Sequence, residues 1–100
     1  MRSITRSVHL AKTLRSPGHR ALLAVLVASR REAGLTQADL AKRLGVVPSW
    51  VAKVEIGERR LDLVEFVTVA RAMKVKPAVL FERFLAWETA GKPGKGKAAE

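Results

Sequence analysis

The chain has 100 residues, the size of one small domain with extensions, and 48% of them are apolar, too many for a chain disordered throughout. It has no cysteine, which excludes disulfides, cysteine nucleophiles and thiolate metal sites, and its longest apolar run, Ala21 to Ala28, falls far short of the ~20 residues needed to cross a bilayer. Nineteen Lys and Arg face nine Asp and Glu, a formal charge of +10 that suits a polyanionic partner, because Lys and Arg displace condensed counterions from phosphates.

Residues 1–20 hold five basic groups (Arg2, Arg6, Lys12, Arg15, Arg20) and no acid. Residues 1–15 are read as a basic N-terminal arm, either a short helix or a flexible segment, with scattered apolar positions at Ile4, Val8, Leu10 and Leu14. Two targeting patterns fit less well. A signal peptide would need a better cleavage site than Ser29-Arg30-Arg31, and a transit peptide rests only on the Arg- and Ser-rich composition of the arm.

Ser16-Pro17 predicts a helix start, with serine as the cap and proline at the first position, where its missing N–H costs nothing. That helix is expected to run to about Ala33, to close at Gly34 and, with its eight-residue apolar run, to be central. Thr36 and Asp39 form a capping-box pair opening a second, short helix that stops at Gly45. Pro48 starts a third, running to about Glu55 and broken by Gly57. Asp62 and Glu65 repeat the cap pattern, followed by Leu63, Phe66, Val67 and Ala70 at helical spacing. Pro77 starts a fifth helix with apolar positions at Val79, Leu80, Phe84, Leu85 and Trp87. Residues 91–100 include Gly91-Lys92-Pro93-Gly94-Lys95-Gly96-Lys97, which has no apolar side chain, and are expected to form a disordered tail. The fold expected is all-α, a bundle of five short helices in residues 16–90.

The most informative stretch runs from Gln37 to Glu55. Two short helices that meet steeply need a tight turn and a shared apolar wedge. Gly45 supplies the turn, Ala41 leaves room for close approach, and Leu40, Leu44, Val46, Val51 and Val54 fall on the inner faces. This is the pattern of a helix-turn-helix.

The words Gly34-Leu35-Thr36-Gln37, Leu40-Ala41-Lys42-Arg43-Leu44-Gly45, Val51-Ala52-Lys53-Val54-Glu55 and Gly57-Glu58-Arg59-Arg60 resemble the Cro/repressor-type helix-turn-helix family of bacterial and phage regulators, also called XRE-like or lambda-repressor-like. The resemblance covers about Pro17 to Leu80. It implies a compact five-helix bundle whose second helix braces the DNA backbone and whose third enters the major groove. It also implies a homodimer on two half-sites ~34 Å apart. Carried over residue by residue, it makes Pro48, Ser49, Ala52 and Lys53 base-facing. Lys53 would donate to guanine, Ser49 would discriminate weakly, Ala52 would touch a thymine methyl, and Pro48 has no donor. Gln37 would contact a phosphate at a helix N-terminus, and Arg43, Trp50, Arg59 and Arg60 would contact phosphates along the edges. Arg30 and Glu55 match a structural ion pair that sets the angle of the third helix. The chain departs from the family pattern at Val47, where a Ser or Thr cap is usual, at Pro48, where a polar residue is usual, and at Trp50, which is unusually large.

The implied function is that of a cytoplasmic, sequence-specific double-stranded DNA-binding regulator, a repressor acting by occluding a promoter. One hundred residues leave no room for an effector domain, so control is expected from concentration, a partner or proteolysis. A second reading adds a small protein partner, as in an antitoxin, with residues 1–15 or the Phe81–Trp87 helix as the contact. A third is a protein-interaction module that has lost operator reading. An enzyme, a metal and a cofactor have no support. The serines lack a His–carboxylate arrangement, and His9 and His19 lack a second ligand at metal spacing. Phe81, Phe84 and Trp87 are expected in the core, or else on a dimer face.

Overall fold

Ser16 stands just outside the first helix in extended geometry, and its Oγ accepts the His19 N–H at 3.0 Å. The computed structural model that shows this describes residues 16–90; the readings of residues 1–15 as an arm and 91–100 as a tail lie outside the described residues. Five helices follow: α1 (Pro17–Glu32), α2 (Gln37–Leu44), α3 (Pro48–Glu55), α4 (Leu63–Ala72) and α5 (Pro77–Ala90). No strand occurs among the described residues.

The helix ends follow from local chemistry. At α2, Thr36 and Asp39 exchange side-chain bonds with each other's backbone N–H at 2.9 Å, satisfying two of the donors that a helix start leaves unpaired. Asp62 and Glu65 do the same for α4 at 2.7 and 3.0 Å. α1 ends one residue short of the expected Ala33, and Gly34 turns left-handed at φ 75° so that the Leu35 N–H reaches the Arg30 carbonyl. The end of α4 closes in the same way, but without glycine. Lys74 takes φ 64°, and the Val75 N–H bonds the Ala70 carbonyl at 3.0 Å.

No residue of Ala21–Ala28 is exposed, and α1 packs against α5 and α3. The core gathers Val25 and Leu26 of α1, Leu35, Leu40 and Ala41, Val51 and Val54 of α3, Phe66, Val69, Ala70 and Met73, and Leu80 of α5. Two apolar positions, Leu63 and Phe81, lie outside this core. Leu63 does not face this core but is 74% exposed, because the inner stripe of α4 runs through Phe66, Val69 and Ala70. On α5 Leu80 is buried, Phe84 and Trp87 are half-buried and packed against the core, and Phe81 is exposed, touching Phe66 edge-on with ring centres 6.4 Å apart. α5 packs against α1 and α4, and its outward residues are exposed.

Candidate nucleic-acid interface

α2 and α3 close on each other over Leu40, Ala41, Val51 and Val54, all at most 4% exposed, with Leu44 and Val46 half-buried beside them. The turn between them needs Gly45 at φ 74°, which lets the Val46 N–H reach back to the Ala41 carbonyl. With Val51 and Val54 inward, the opposite side of α3 is left for Pro48, Ser49 and Lys53, which are exposed, and Ala52, which is half-covered. These four positions share one face at helical spacing. That face carries one long cationic side chain, one hydroxyl and little else.

The C-terminal end of α3 is held by a buried ionic cluster. Arg30 Nε donates to Glu55 Oε2 at 2.7 Å and its NH2 to Oε1 at 3.1 Å, while NH1 donates to the Leu35 carbonyl at 2.8 Å. The two side chains are only 9% and 7% exposed. Gln37 adds a further bond, its Nε2 donating to Glu55 Oε1 at 2.8 Å. One carboxylate thus ties together α1, the start of α2 and the end of α3.

Residues expected at phosphates are engaged within the protein. Gln37 is engaged through Glu55. Arg43 reaches from α2 to the C-terminal end of α4, where its NH1 donates to the Ala72 carbonyl at 2.7 Å; a cation there meets the negative end of the helix dipole. Arg59 forms a two-pronged pair with Glu65 at 3.0 and 2.8 Å, donates to the Arg60 carbonyl, and lies 4.6 Å from the centre of the Trp50 ring. The Arg59 bonds hold the Glu65 carboxyl below the usual range for glutamate, helped by the Asp62 N–H, and the same pair raises the Arg59 guanidinium. Trp50 is half-buried and Arg60 is exposed. Sequence reasoning missed the partners of Arg43 and Arg59. For Arg59 a local signal exists, since Glu65 stands six residues on at the fixed third position of a capping box. For Arg43 the acceptor is a main-chain oxygen 29 residues away, which composition cannot reveal.

His19 lies in the first turn of α1. Its Nε2 is buried without a hydrogen-bond partner among the described residues, and burial, followed by the charge of Arg60, lowers its pKa. Among the described residues no three His, Asp or Glu side chains gather as a metal site would require, and no helix is long and apolar enough to cross a membrane.

A buried two-helix wedge with a solvent-facing second helix defines a helix-turn-helix protein. Comparison places it further. The family model described as a helix-turn-helix domain matches residues 21–84. Among solved structures, the chain is similar to an XRE-family like protein from Pseudomonas syringae pv. tomato str. DC3000, with 39% sequence identity and a TM-score of 0.69 over 79% of this chain and 96% of that one. No curated protein sequence matches it significantly. The chain belongs to the XRE-type helix-turn-helix family, and is a DNA-binding regulator.

Proposed function

We propose that the protein reads a short operator in double-stranded DNA as a homodimer and represses transcription from the cytoplasm by covering a promoter. The observation that carries this reading is the outer face of α3, where Ser49 and Lys53 stand exposed on a helix whose far end is fixed by the Arg30–Glu55 pair. Lys53 donates to guanine O6 and N7, the favoured acceptors of a cation in the major groove. Ser49 adds a weaker polar contact, Ala52 a methyl contact, and Pro48 shapes the entry of the helix without donating.

Gln37, at the N-terminus of α2, meets a phosphate together with the open N–H groups there. Arg43 and Arg60 flank the groove, and Trp50 lies along its sugar-phosphate edge. A guanidinium has five N–H donors, so the bond of Arg43 to Ala72 leaves it able to take a phosphate as well. The second copy, or a small protein partner in its place, has exposed apolar side chains to meet on α4 and α5: Leu63, Val64, Phe81 and Leu85.

The test is selection of random duplexes by the purified protein, followed by affinity measurements over a range of salt. A palindromic consensus is expected. Lys53→Ala should relax selectivity at one base pair per half-site and cost ~5- to 100-fold there, the scale of one good base contact. Binding that is steeply salt-dependent but selects no consensus would overturn the operator reading.

A further inference from the structure

α3 has eight residues, too few to hold a helix by itself in water. Its middle is anchored by Val51 and Val54 and its last residue by Arg30, but its start has no side-chain cap, because Val47 occupies the cap position. The Trp50 N–H bonds the Val47 carbonyl at 3.0 Å and Pro48 stands at the first position, so any side-chain support for this turn comes from tertiary contacts.

The contacts around Trp50 supply it. Glu65 is locked at the start of α4, where its Oε1 accepts the Asp62 N–H at 3.0 Å. That carboxylate grips Arg59 with two bonds, and the Arg60 carbonyl accepts a third from NH1. The guanidinium so held sits against the Trp50 ring, at 4.6 Å from its centre. The path runs from the α4 cap through Glu65 and Arg59 to Trp50, which stands between Ser49 and Ala52 and three residues before Lys53. A planar guanidinium can pair in two prongs and stack at once, which an ammonium cannot.

We propose that Arg59 is a positioning residue for base recognition: held by Glu65 and stacked on Trp50, it fixes the first turn of α3 and so aims Ser49 and Lys53. This rests on the operator-reading function proposed above. The competing role, Arg59 as a phosphate ligand, makes the opposite prediction for Glu65. If Arg59 grips DNA, Glu65 competes with the phosphate, and neutralising Glu65 strengthens binding. If Arg59 positions α3, neutralising Glu65 loosens the clamp and weakens binding, although the protein has become more positive.

The experiment compares the full-length wild type with Glu65→Gln, Arg59→Gln and Arg59→Lys. Affinity is measured for the duplex selected by the wild type, and for single-base variants of it, over a salt series. Amide hydrogen exchange of α3 is followed in the DNA-free proteins. Glu65→Gln and Arg59→Gln are each expected to lose about two- to fivefold in affinity, the scale of one exposed cation–π contact. They should lose discrimination at the bases read by α3 while keeping the wild-type salt slope, and α3 exchange should accelerate in both. Arg59→Lys should restore the charge but only part of the discrimination. Tighter binding by Glu65→Gln, a salt slope lowered by about one in Arg59→Gln, or unchanged α3 exchange would each overturn the proposal. If the wild type selects no duplex, the operator reading falls and the base-recognition role of Arg59 falls with it. The exchange measurement tells that failure apart from a clamp that does not hold.

Discussion

The two ends of α3 are secured by the same chemistry in different surroundings. At its C-terminal end, Arg30 and Glu55 are less than a tenth exposed, and every nitrogen of the guanidinium has an acceptor. At its N-terminal end, Arg59 and Glu65 pair just as closely but stand about a third exposed. Burial decides what each pair can do. A charge left alone in the interior has no water to fall back on, so the inner pair acts as an all-or-none link between α1 and α3. Charges at the surface are screened and replaceable, so the outer pair adds little to stability and contributes orientation instead.

The largest effect should come from breaking the inner pair on one side. Glu55→Ala strands Arg30 and is expected to cost about 3–5 kcal/mol in urea unfolding, whereas Arg30→Met combined with Glu55→Leu should come much closer to wild type, because no unpaired charge remains. Equal losses in the single and double variants would mean that packing, and not charge, fixes this end. The outer end should respond in the opposite direction to an added cap. Val47 is 63% exposed and already has the extended backbone of a cap residue, so Val47→Ser places an oxygen near the Ser49 and Trp50 N–H groups and sacrifices little packing. A gain of about 1 kcal/mol is expected. In that background, Arg59→Gln should perturb α3 exchange less than it does alone, since the first turn then has its own anchor.

These two ends also differ in how far the sequence exposes them. The helix limits were legible because their signals are local: Ser16-Pro17, Thr36 with Asp39, Asp62 with Glu65, and the glycines at 34, 45 and 57 all act within a few residues of where they stand. The close of α4 was not, because Lys74 takes a left-handed backbone without glycine there to announce it. Its neighbour Ala72 is met by Arg43, a contact made by tertiary packing alone. The Arg30–Glu55 pairing came from family resemblance and not from spacing, and the exposed face of α3 followed once the inner positions were assigned. What could not be read was whom each arginine meets. A basic residue in a positively charged chain suggests phosphate, yet Arg43 and Arg59 have a carbonyl and a carboxylate within reach. Leu63 shows the same limit for apolar residues: helical spacing says which residues share a stripe, and the neighbouring helices decide which stripe is inner.

Acid separates the two ends by the smallest expected effect. Glu65 and Asp39 each accept bonds from a fixed donor, Arg59 for Glu65 and the Thr36 backbone N–H for Asp39, and both carboxyls titrate below their usual range near pH 4. A carboxyl with a lowered folded pKa binds protons more readily when unfolded, so its contribution is complete above the unfolded pKa and is lost as pH falls through the folded one. His19 acts in the same direction over an earlier window. Burial lowers its pKa, so stability begins to fall as pH drops below about 6.5, where the unfolded histidine takes up its proton. Unfolding midpoints followed from pH 7 to pH 3 should therefore decline in two stages. His19→Gln should remove the upper stage, and Glu65→Gln should flatten the lower one while leaving the upper stage in place. A lower stage that persists undiminished in Glu65→Gln would mean that the Arg59 pair holds no differential protonation in solution, and the outer end of α3 would then depend on the Trp50 stack alone.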